Sequence, residues 1–201
     1  MRYENTGWQD NGLREGIGKS AERVMGSVDL PRTELVEGRY IPYAASIKLA
    51  KDHQPWEDPI EPSPVFAKKL RDAVLRAMPR LPQELHKNLK FYTSVGSPLD
   101  QYHGVDAFIE FDVAGKDPVR ITLDITMKPK KDDWKADILF SVGQIDVEMF
   151  TKDIGAGKFD DIIERVAKTA ASFIFNKLTG RQIEKTFIPE KDINKPYERI
   201  S

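Results

Sequence analysis

The sequence predicts an α+β or α/β fold in which a central mixed β-sheet is flanked by helices. Residues 104–128, GVDAFIEFDVAGKDPVRITLDITMK, alternate apolar and polar side chains with period two on both sides of a Gly- and Pro-containing turn. This pattern is typical of a β-hairpin. Apolar residues also recur at helical spacing over 63–77 and over 158–179. Amphipathic helices on either side of a strand pattern predict helices packed on a sheet.

The composition is that of a globular protein, and it restricts the functional classes. The chain has 201 residues, a formal net charge of −1 and no cysteine, which excludes disulfides and thiolate metal sites. No apolar run approaches the roughly 20 residues that span a bilayer, and the first residues lack the apolar segment of a signal peptide. We therefore expect a cytoplasmic protein with no membrane partner. Because the chain is not basic overall, a nucleic-acid contact requires a local basic patch.

Residues 1–62 are predicted to form a proline-rich, partly helical N-terminal arm. Six prolines lie between 31 and 64, and each removes a backbone donor, so no long regular element is expected there. A weak helix is predicted over 13–25 and a short one over 43–51. The arm wraps the domain or reaches a partner, and three aromatic residues are expected to anchor it: Tyr40, Tyr43 and Trp56.

The remaining chain is predicted to form one domain over 63–190, followed by a polar tail at 191–201. Ser63 followed by Pro64 is typical of a helix start, and Gly180 is placed to end the long helix over 158–179. Between these helices the predicted elements are, in order, a short helix over 82–88, a strand over 89–95, a loop over 96–103, the hairpin, and strand-like segments over 136–142 and 144–150. A last strand is predicted over 182–188.

The predicted hairpin has one apolar face and one polar face. The apolar face consists of Val105, Ala107, Ile109, Phe111, Val113, Val119, Ile121, Leu123, Ile125 and Met127. The other face carries Asp106, Phe108, Glu110, Asp112, Arg120, Thr122, Asp124, Thr126 and Lys128. A five-residue loop over 114–118 pairs Glu110 with Thr122, and it makes Asp106 and Asp124 diagonal neighbours about 7–8 Å apart. Glu110, Asp112 and Arg120 are expected to form an ordinary solvent-exposed strand face.

The same polar face is a candidate metal site. Carboxylates at the positions of Asp106 and Asp124 can converge on Mg²⁺ or Mn²⁺, which are bound through oxygen ligands together with waters and substrate phosphates. An ammonium at Lys128 can stabilise phosphate charge or help to activate the attacking water. The alternative is that both aspartates belong to a wet sheet face without a site.

The segments SPLDQYHGVDAFIEF and ITLDITMK, within the element order of 63–188, resemble the PD-(D/E)xK nuclease superfamily. This resemblance implies a restriction-endonuclease-like αβββαβ core, with 132–153 inserted before the second long helix. It also implies DNA as the substrate and Mg²⁺ (or Mn²⁺) as the cofactor. Asp106 then matches the family's metal-binding aspartate, Asp124 matches its second acid, and the Ile125 carbonyl is a further ligand.

One position departs from the family pattern. The family places a lysine two residues after its second acid, and Thr126 occupies that position here. Lys128 lies about 6–7 Å further along the same predicted strand face, within reach of a flexible side chain. Two interpretations follow: Lys128 replaces the missing lysine, or the site has lost catalysis and the fold only binds.

Several further residues are candidates for accessory roles. The family often carries an acid on its first helix, for which Glu84 is the nearest candidate and Asp72 a weaker one. Asp100, His103 and Thr126 lie near the predicted site, although Asp100 is better explained as a loop cap and His103 as a loop residue. A basic segment with an interleaved aromatic is expected to contact nucleic acid, through Lys130, Lys131, Lys135 and Trp134. Asp132 and Asp133 dilute its charge, which favours a solvated loop.

Three functional hypotheses follow from these observations. The first is a metal-dependent nuclease acting on phosphodiester bonds in DNA, with Asp106, Asp124 and Lys128 as the catalytic residues. The second is an inactive module of the same fold that binds nucleic acid or protein. The third is a structural or assembly protein whose arm docks on neighbouring subunits, with a homodimer as the simplest assembly.

Overall fold

The computed structural model describes residues 25–31, 40–128, 131–143, 154 and 156–190. A five-stranded mixed sheet organises this part of the chain, in the order β1-β2-β3-β4-β5. The strands are β1 (Leu89–Thr93), β2 (Ala107–Phe111), β3 (Val119–Thr126), β4 (Ile138–Ser141) and β5 (Thr186–Ile188). The first three strands are antiparallel to one another, whereas β3, β4 and β5 run parallel. The predicted strand over 144–150, the tail and all of the predicted helix over 13–25 except Met25 lie outside the described residues.

In the described residues four helices cover the two faces of the sheet, which confirms the predicted sheet flanked by helices. They are α1 (Tyr43–Asp52), α2 (Val65–Arg76), α3 (Pro98–His103) and α4 (Asp160–Leu178), and a 3₁₀ helix spans Gln83–Asn88. The helices α2 and α4 pack on one face, and α1 and α3 pack on the other. No helix in the described part of the chain is both long enough and apolar enough to cross a membrane.

The main core forms where the apolar face of the hairpin meets α2 and α4. Ile109, Ile121 and Leu123 are fully buried there against the apolar stripes of both helices. Phe66 of α2 stacks on Phe140 of β4 with ring centroids 5.9 Å apart. Each fully buried side chain of this size contributes about 1.5–3 kcal/mol to folding. The predicted apolar face is confirmed for every hairpin residue except Val105, which belongs to the second cluster on the opposite face.

The register of the hairpin differs from the prediction by two residues. Glu110 pairs with Arg120 and Phe108 pairs with Thr122, so Glu110 does not face Thr122. The ladder ends at the pair of Phe111 with Val119, because the next residue, Pro118, has no N–H to donate. A shift of two residues keeps every side chain on its predicted face, since strand alternation has period two.

One segment that was predicted to be strand-like but assigned to an insertion belongs to the sheet, and one predicted loop contains a helix. Residues 138–141, expected within an insertion, form β4, which lies between β3 and β5 and pairs with both. The described sheet therefore has one strand more than the αβββαβ order. The predicted loop over 96–103 contains α3, which begins where the Ser97 hydroxyl accepts the Leu99 N–H at 3.1 Å and Pro98 occupies the first turn. The pair Ser63–Pro64 was interpreted in the sequence as a helix start. The same pair of residue types at Ser97–Pro98 was the sequence feature that indicated α3.

The polar face of the hairpin is covered rather than exposed. Glu110 has 0% of its surface exposed, so the expectation of a wet strand face is wrong for this residue. Lys51 of α1 binds one carboxylate oxygen at 2.6 Å, and the Arg120 Nε binds the other at 2.8 Å. Lys51 lies in the last turn of α1. This end of α1 is thus tied to the β2–β3 pair through one buried carboxylate.

The described part of the predicted arm packs on the domain itself. Gln54 pairs with the backbone of Thr93, donating to its carbonyl at 2.8 Å and accepting its N–H at 2.9 Å. Pro59 accepts the N–H of Phe91 at 2.9 Å. These contacts cover the outer edge of β1, a position at which unpaired strand groups otherwise invite association with other chains.

We predict that Glu110→Ala destabilises the protein by about 3–5 kcal/mol, because it leaves two buried or half-buried cations without their counter-ion. Urea-induced unfolding followed by circular dichroism measures the free energy of unfolding. Lys48→Ala is the matched control, since it removes an exposed ion pair of the same helix with Asp52 and is expected to leave that free energy nearly unchanged. Equal effects of the two substitutions would contradict the assignment of Glu110 as the anchor of α1.

Candidate functional site

Asp106 and Asp124 lie next to each other at the N-terminal end of β2. Ala107 pairs with Leu123, so the next position along the ladder brings Asp106 opposite Asp124 rather than diagonal to it. A side-chain hydrogen bond joins the two carboxyl groups, and each residue has only 4% of its surface exposed. Two carboxylates this close and this buried require a proton or a cation between them.

The backbone of β3 holds Asp106 in place. Its Oδ2 accepts the Ile125 N–H at 2.7 Å, and its own N–H donates to the Leu123 carbonyl at 2.9 Å. The N–H and C=O of a residue in an antiparallel ladder point to the same neighbouring strand. The Ile125 carbonyl is therefore directed to the side of β3 on which Asp106 lies, which is where a ligand from this residue is expected.

The lysine that contacts Asp124 in the structure is Lys131. The Lys131 Nζ lies 2.6 Å from Asp124 Oδ2. The prediction for Lys128 assumed that the strand continues past Thr126, but β3 ends at that residue. The Lys128 N–H donates to the Thr126 hydroxyl at 3.1 Å in the following bend, and the residue is exposed. Strand alternation therefore no longer places the Lys128 side chain beside Asp124.

Burial and charge act in opposite directions on Asp124. Burial raises the pKa of the Asp124 carboxyl above its usual range, while the Lys131 ammonium and the hydrogen bond with Asp106 oppose the rise. The ammonium therefore acts as the counter-cation of the carboxylate pair.

The donors available to a metal ion are few but suitable. Two carboxylates lie here, with the Ile125 carbonyl on the same side of β3, and the described residues contain no group of three or more His, Cys, Asp or Glu side chains that could hold an ion. Mg²⁺ is commonly bound by one or two carboxylates, with waters and substrate phosphates completing the octahedron. The residues present therefore fit a cation that shares its coordination with a phosphate substrate.

The predicted accessory residues have other contacts. Asp100 accepts the Gly96 N–H at 2.9 Å and caps its own turn. The His103 Nε2 lies 3.0 Å from the Ile41 carbonyl, and its ring contacts two tyrosines. Glu84 is exposed on the 3₁₀ helix that precedes Leu89, and Leu89 pairs with Phe111. Glu84 is thus at the opposite end of β2 from Asp106. Thr126 lies two residues after Asp124 in β3, on the same strand face.

The basic segment is only partly available to nucleic acid. Trp134 packs on the second core cluster and on Phe187, with ring centroids 6.4 Å apart, so its indole is not a free stacking surface. The Lys135 Nζ donates to the Tyr102 carbonyl at 2.8 Å. Lys130 lies outside the described residues.

From the sequence, Lys131 is expected on a loop that contacts phosphate, and its pairing with Asp124 is not predicted. No periodic pattern connects a lysine in a loop to a strand residue seven positions earlier. The one sequence feature that indicates a lysine near Asp124 is the cluster of lysines directly after β3.

Comparison of the chain with protein-family models, with curated proteins and with solved structures gives no match. Function is therefore inferred from the chemistry of the site.

We predict that Lys131→Gln binds Mn²⁺ at least about tenfold more tightly than the unmodified protein, because a competing positive charge leaves the carboxylate pair. Isothermal titration calorimetry measures the affinity. Lys128→Gln is the control, since it removes the same charge from an exposed bend and is expected to change the affinity little. Indistinguishable affinities for the two variants would show that Lys131 does not control access of a cation to Asp124.

Proposed function

We propose that this protein is a metal-dependent nuclease that hydrolyses phosphodiester bonds in DNA. The observation that carries the proposal is a pair of buried carboxylates on adjacent strands, Asp106 and Asp124, with the Lys131 amine 2.6 Å from one of them. Acidic oxygens beside an ammonium are suited to a divalent cation and to phosphate charge. When bound, Mg²⁺ or Mn²⁺ polarises the phosphate and lowers the pKa of the attacking water.

The order of elements supports the same proposal. A helix, three antiparallel strands, a long helix and a final strand follow one another as in the PD-(D/E)xK superfamily, with β4 as an additional strand. In the restriction-endonuclease-like arrangement that we propose, the first acid lies at the start of the second strand and the second acid lies on the third. DNA is the proposed partner and the cytoplasm the proposed location.

Each residue of the site has a distinct proposed role. Asp106 and Asp124 hold the cation together with the Ile125 carbonyl. Lys131, released from Asp124 when a cation binds, orients the attacking water or stabilises the charge on the phosphate. Lys128, on the exposed bend, contributes only long-range attraction for the DNA backbone.

We predict that Asp106→Asn and Asp124→Asn each reduce DNA cleavage by about a hundredfold or more, because each removes a ligand charge. Lys131→Gln is expected to reduce cleavage similarly although it strengthens cation binding. Supercoiled and linear DNA incubated with Mg²⁺ or Mn²⁺ and separated on agarose provide the measurement.

Two control variants keep this test specific. Asp112→Asn removes a carboxylate of the same hairpin whose partner is Lys90, and Lys128→Gln removes a neighbouring lysine. Both are expected to cleave as the unmodified protein does. Absence of cleavage with either ion, together with cation binding that is unchanged in Asp124→Asn, would exclude the nuclease.

A second function, DNA binding without cleavage, is favoured by one specific observation. Both carboxylates already have internal partners, since Asp106 accepts the Ile125 N–H and Asp124 pairs with Lys131. A site satisfied in this way can be purely structural. In that case DNA binding persists in EDTA, no cleavage occurs with either ion, and Asp124→Asn lowers stability without changing DNA affinity. A mobility-shift assay with and without EDTA separates the two functions.

A further inference from the structure

Three tyrosines form an aromatic surface on the side of the sheet that carries the carboxylates. This tyrosine cluster consists of Tyr40, Tyr43 and Tyr102. The rings of Tyr40 and Tyr102 meet edge to face at 5.8 Å, and Tyr43 meets the His103 ring at 5.3 Å. Tyr40 nevertheless has 62% of its surface exposed. Exposure on this scale is more than an anchoring role requires, because an anchoring tyrosine buries most of its ring.

The cluster is held rigidly. The His103 Nε2 lies 3.0 Å from the carbonyl of Ile41, between two of the tyrosines in sequence. Arg120, which is bound to the buried Glu110, lies close enough to Tyr43 to oppose the rise that burial produces in the pKa of its phenol. Rigid aromatic side chains lose little conformational entropy when a flat ligand stacks on them.

The cluster is connected to the carboxylate pair by a segment that contains lysines. Lys131 contacts Asp124, and Lys135, four residues later, contacts the backbone of Tyr102. On the sheet, Tyr43 lies near Arg120, which precedes Asp124 by four residues, or about 13 Å along a strand. A bound strand of a few nucleotides therefore spans the distance between the cluster and the carboxylates.

We infer that the tyrosine cluster stacks unpaired bases, and that the substrate is single-stranded DNA or a single-stranded region of a larger DNA. In a duplex the base faces are stacked on one another, whereas an unpaired base presents a face to an aromatic ring. Lys131 and Lys135 lie between the cluster and Asp124, where they can contact the phosphate backbone of a bound strand. The cleavage part of this inference rests on the proposed nuclease function, but the binding part does not.

Fluorescence anisotropy with labelled oligothymidine, alone or annealed to oligoadenine, tests the binding part in the presence of EDTA. The full chain is expected to bind the single strand more tightly than the duplex. Tyr40→Ala is expected to weaken single-strand binding by about tenfold, as loss of one base–aromatic stack does, whereas Tyr40→Phe retains the affinity. Phe175→Ala is the matched control, because Phe175 is also exposed, at 56%, and lies beside a cation, Arg181, on the distant end of α4. This control is expected to leave the affinity unchanged.

The outcomes separate this inference from the proposed nuclease. Equal affinity for the single strand and the duplex, or equal effects of Tyr40→Ala and Phe175→Ala, would overturn the inference. Tyr40-dependent binding of the single strand without cleavage in Mg²⁺ or Mn²⁺ would support the binding site and exclude the nuclease. Cleavage of single-stranded DNA that is reduced in Tyr40→Ala, with the duplex left intact, would support both.

Discussion

The sheet buries both of its faces, and one of those faces carries charge. An isolated buried carboxylate costs several kcal/mol, so each one must meet a cation or hydrogen-bond donors. Glu110 receives Lys51 from α1, and Asp124 receives Lys131 from the segment after β3. The half-buried Asp137 receives Lys177 from α4 together with the hydroxyl and N–H of Thr122. Pairing these three groups therefore ties α1, the segment after β3 and the end of α4 to the sheet.

The same requirement links stability to function at the candidate site. Water is largely excluded from Asp106 and Asp124, which strengthens every charge interaction there relative to bulk solvent. The Lys131 ammonium pairs with Asp124 and offsets part of the carboxylate charge. Under the proposed nuclease function, a cation that binds here displaces Lys131, which then becomes available to the phosphate substrate.

The sequence pattern predicted the side-chain faces of the hairpin more reliably than its pairing. Period-two alternation assigned Asp106 and Asp124 to one face, and the two-residue shift in register left that assignment intact. The shift arises because seven residues, 112–118, lie outside the ladder between the two strands, instead of the predicted five. Residues 138–141 were predicted to be strand-like but assigned to an insertion, because a four-residue apolar run carries no information about which strands it joins. Glu110 was expected in solvent because alternation shows that a face is polar and not whether a helix covers it.

Local periodicity, helix-start residues and turn chemistry determined by themselves the hairpin, the helices α1, α2 and α4, and the two aspartates on one strand face. These features depend on neighbours within a few residues, so the linear pattern contains them. The burial of that face, the position of β4 and the identity of the lysine at Asp124 were decided only by tertiary structure. Each joins segments that the chain separates by a loop or by a whole element, and the electrostatic cost of burying charge selects the partner. For that reason Lys131, in a loop with no periodicity, pairs with Asp124, while Lys128, which strand spacing favoured, lies beyond the end of β3.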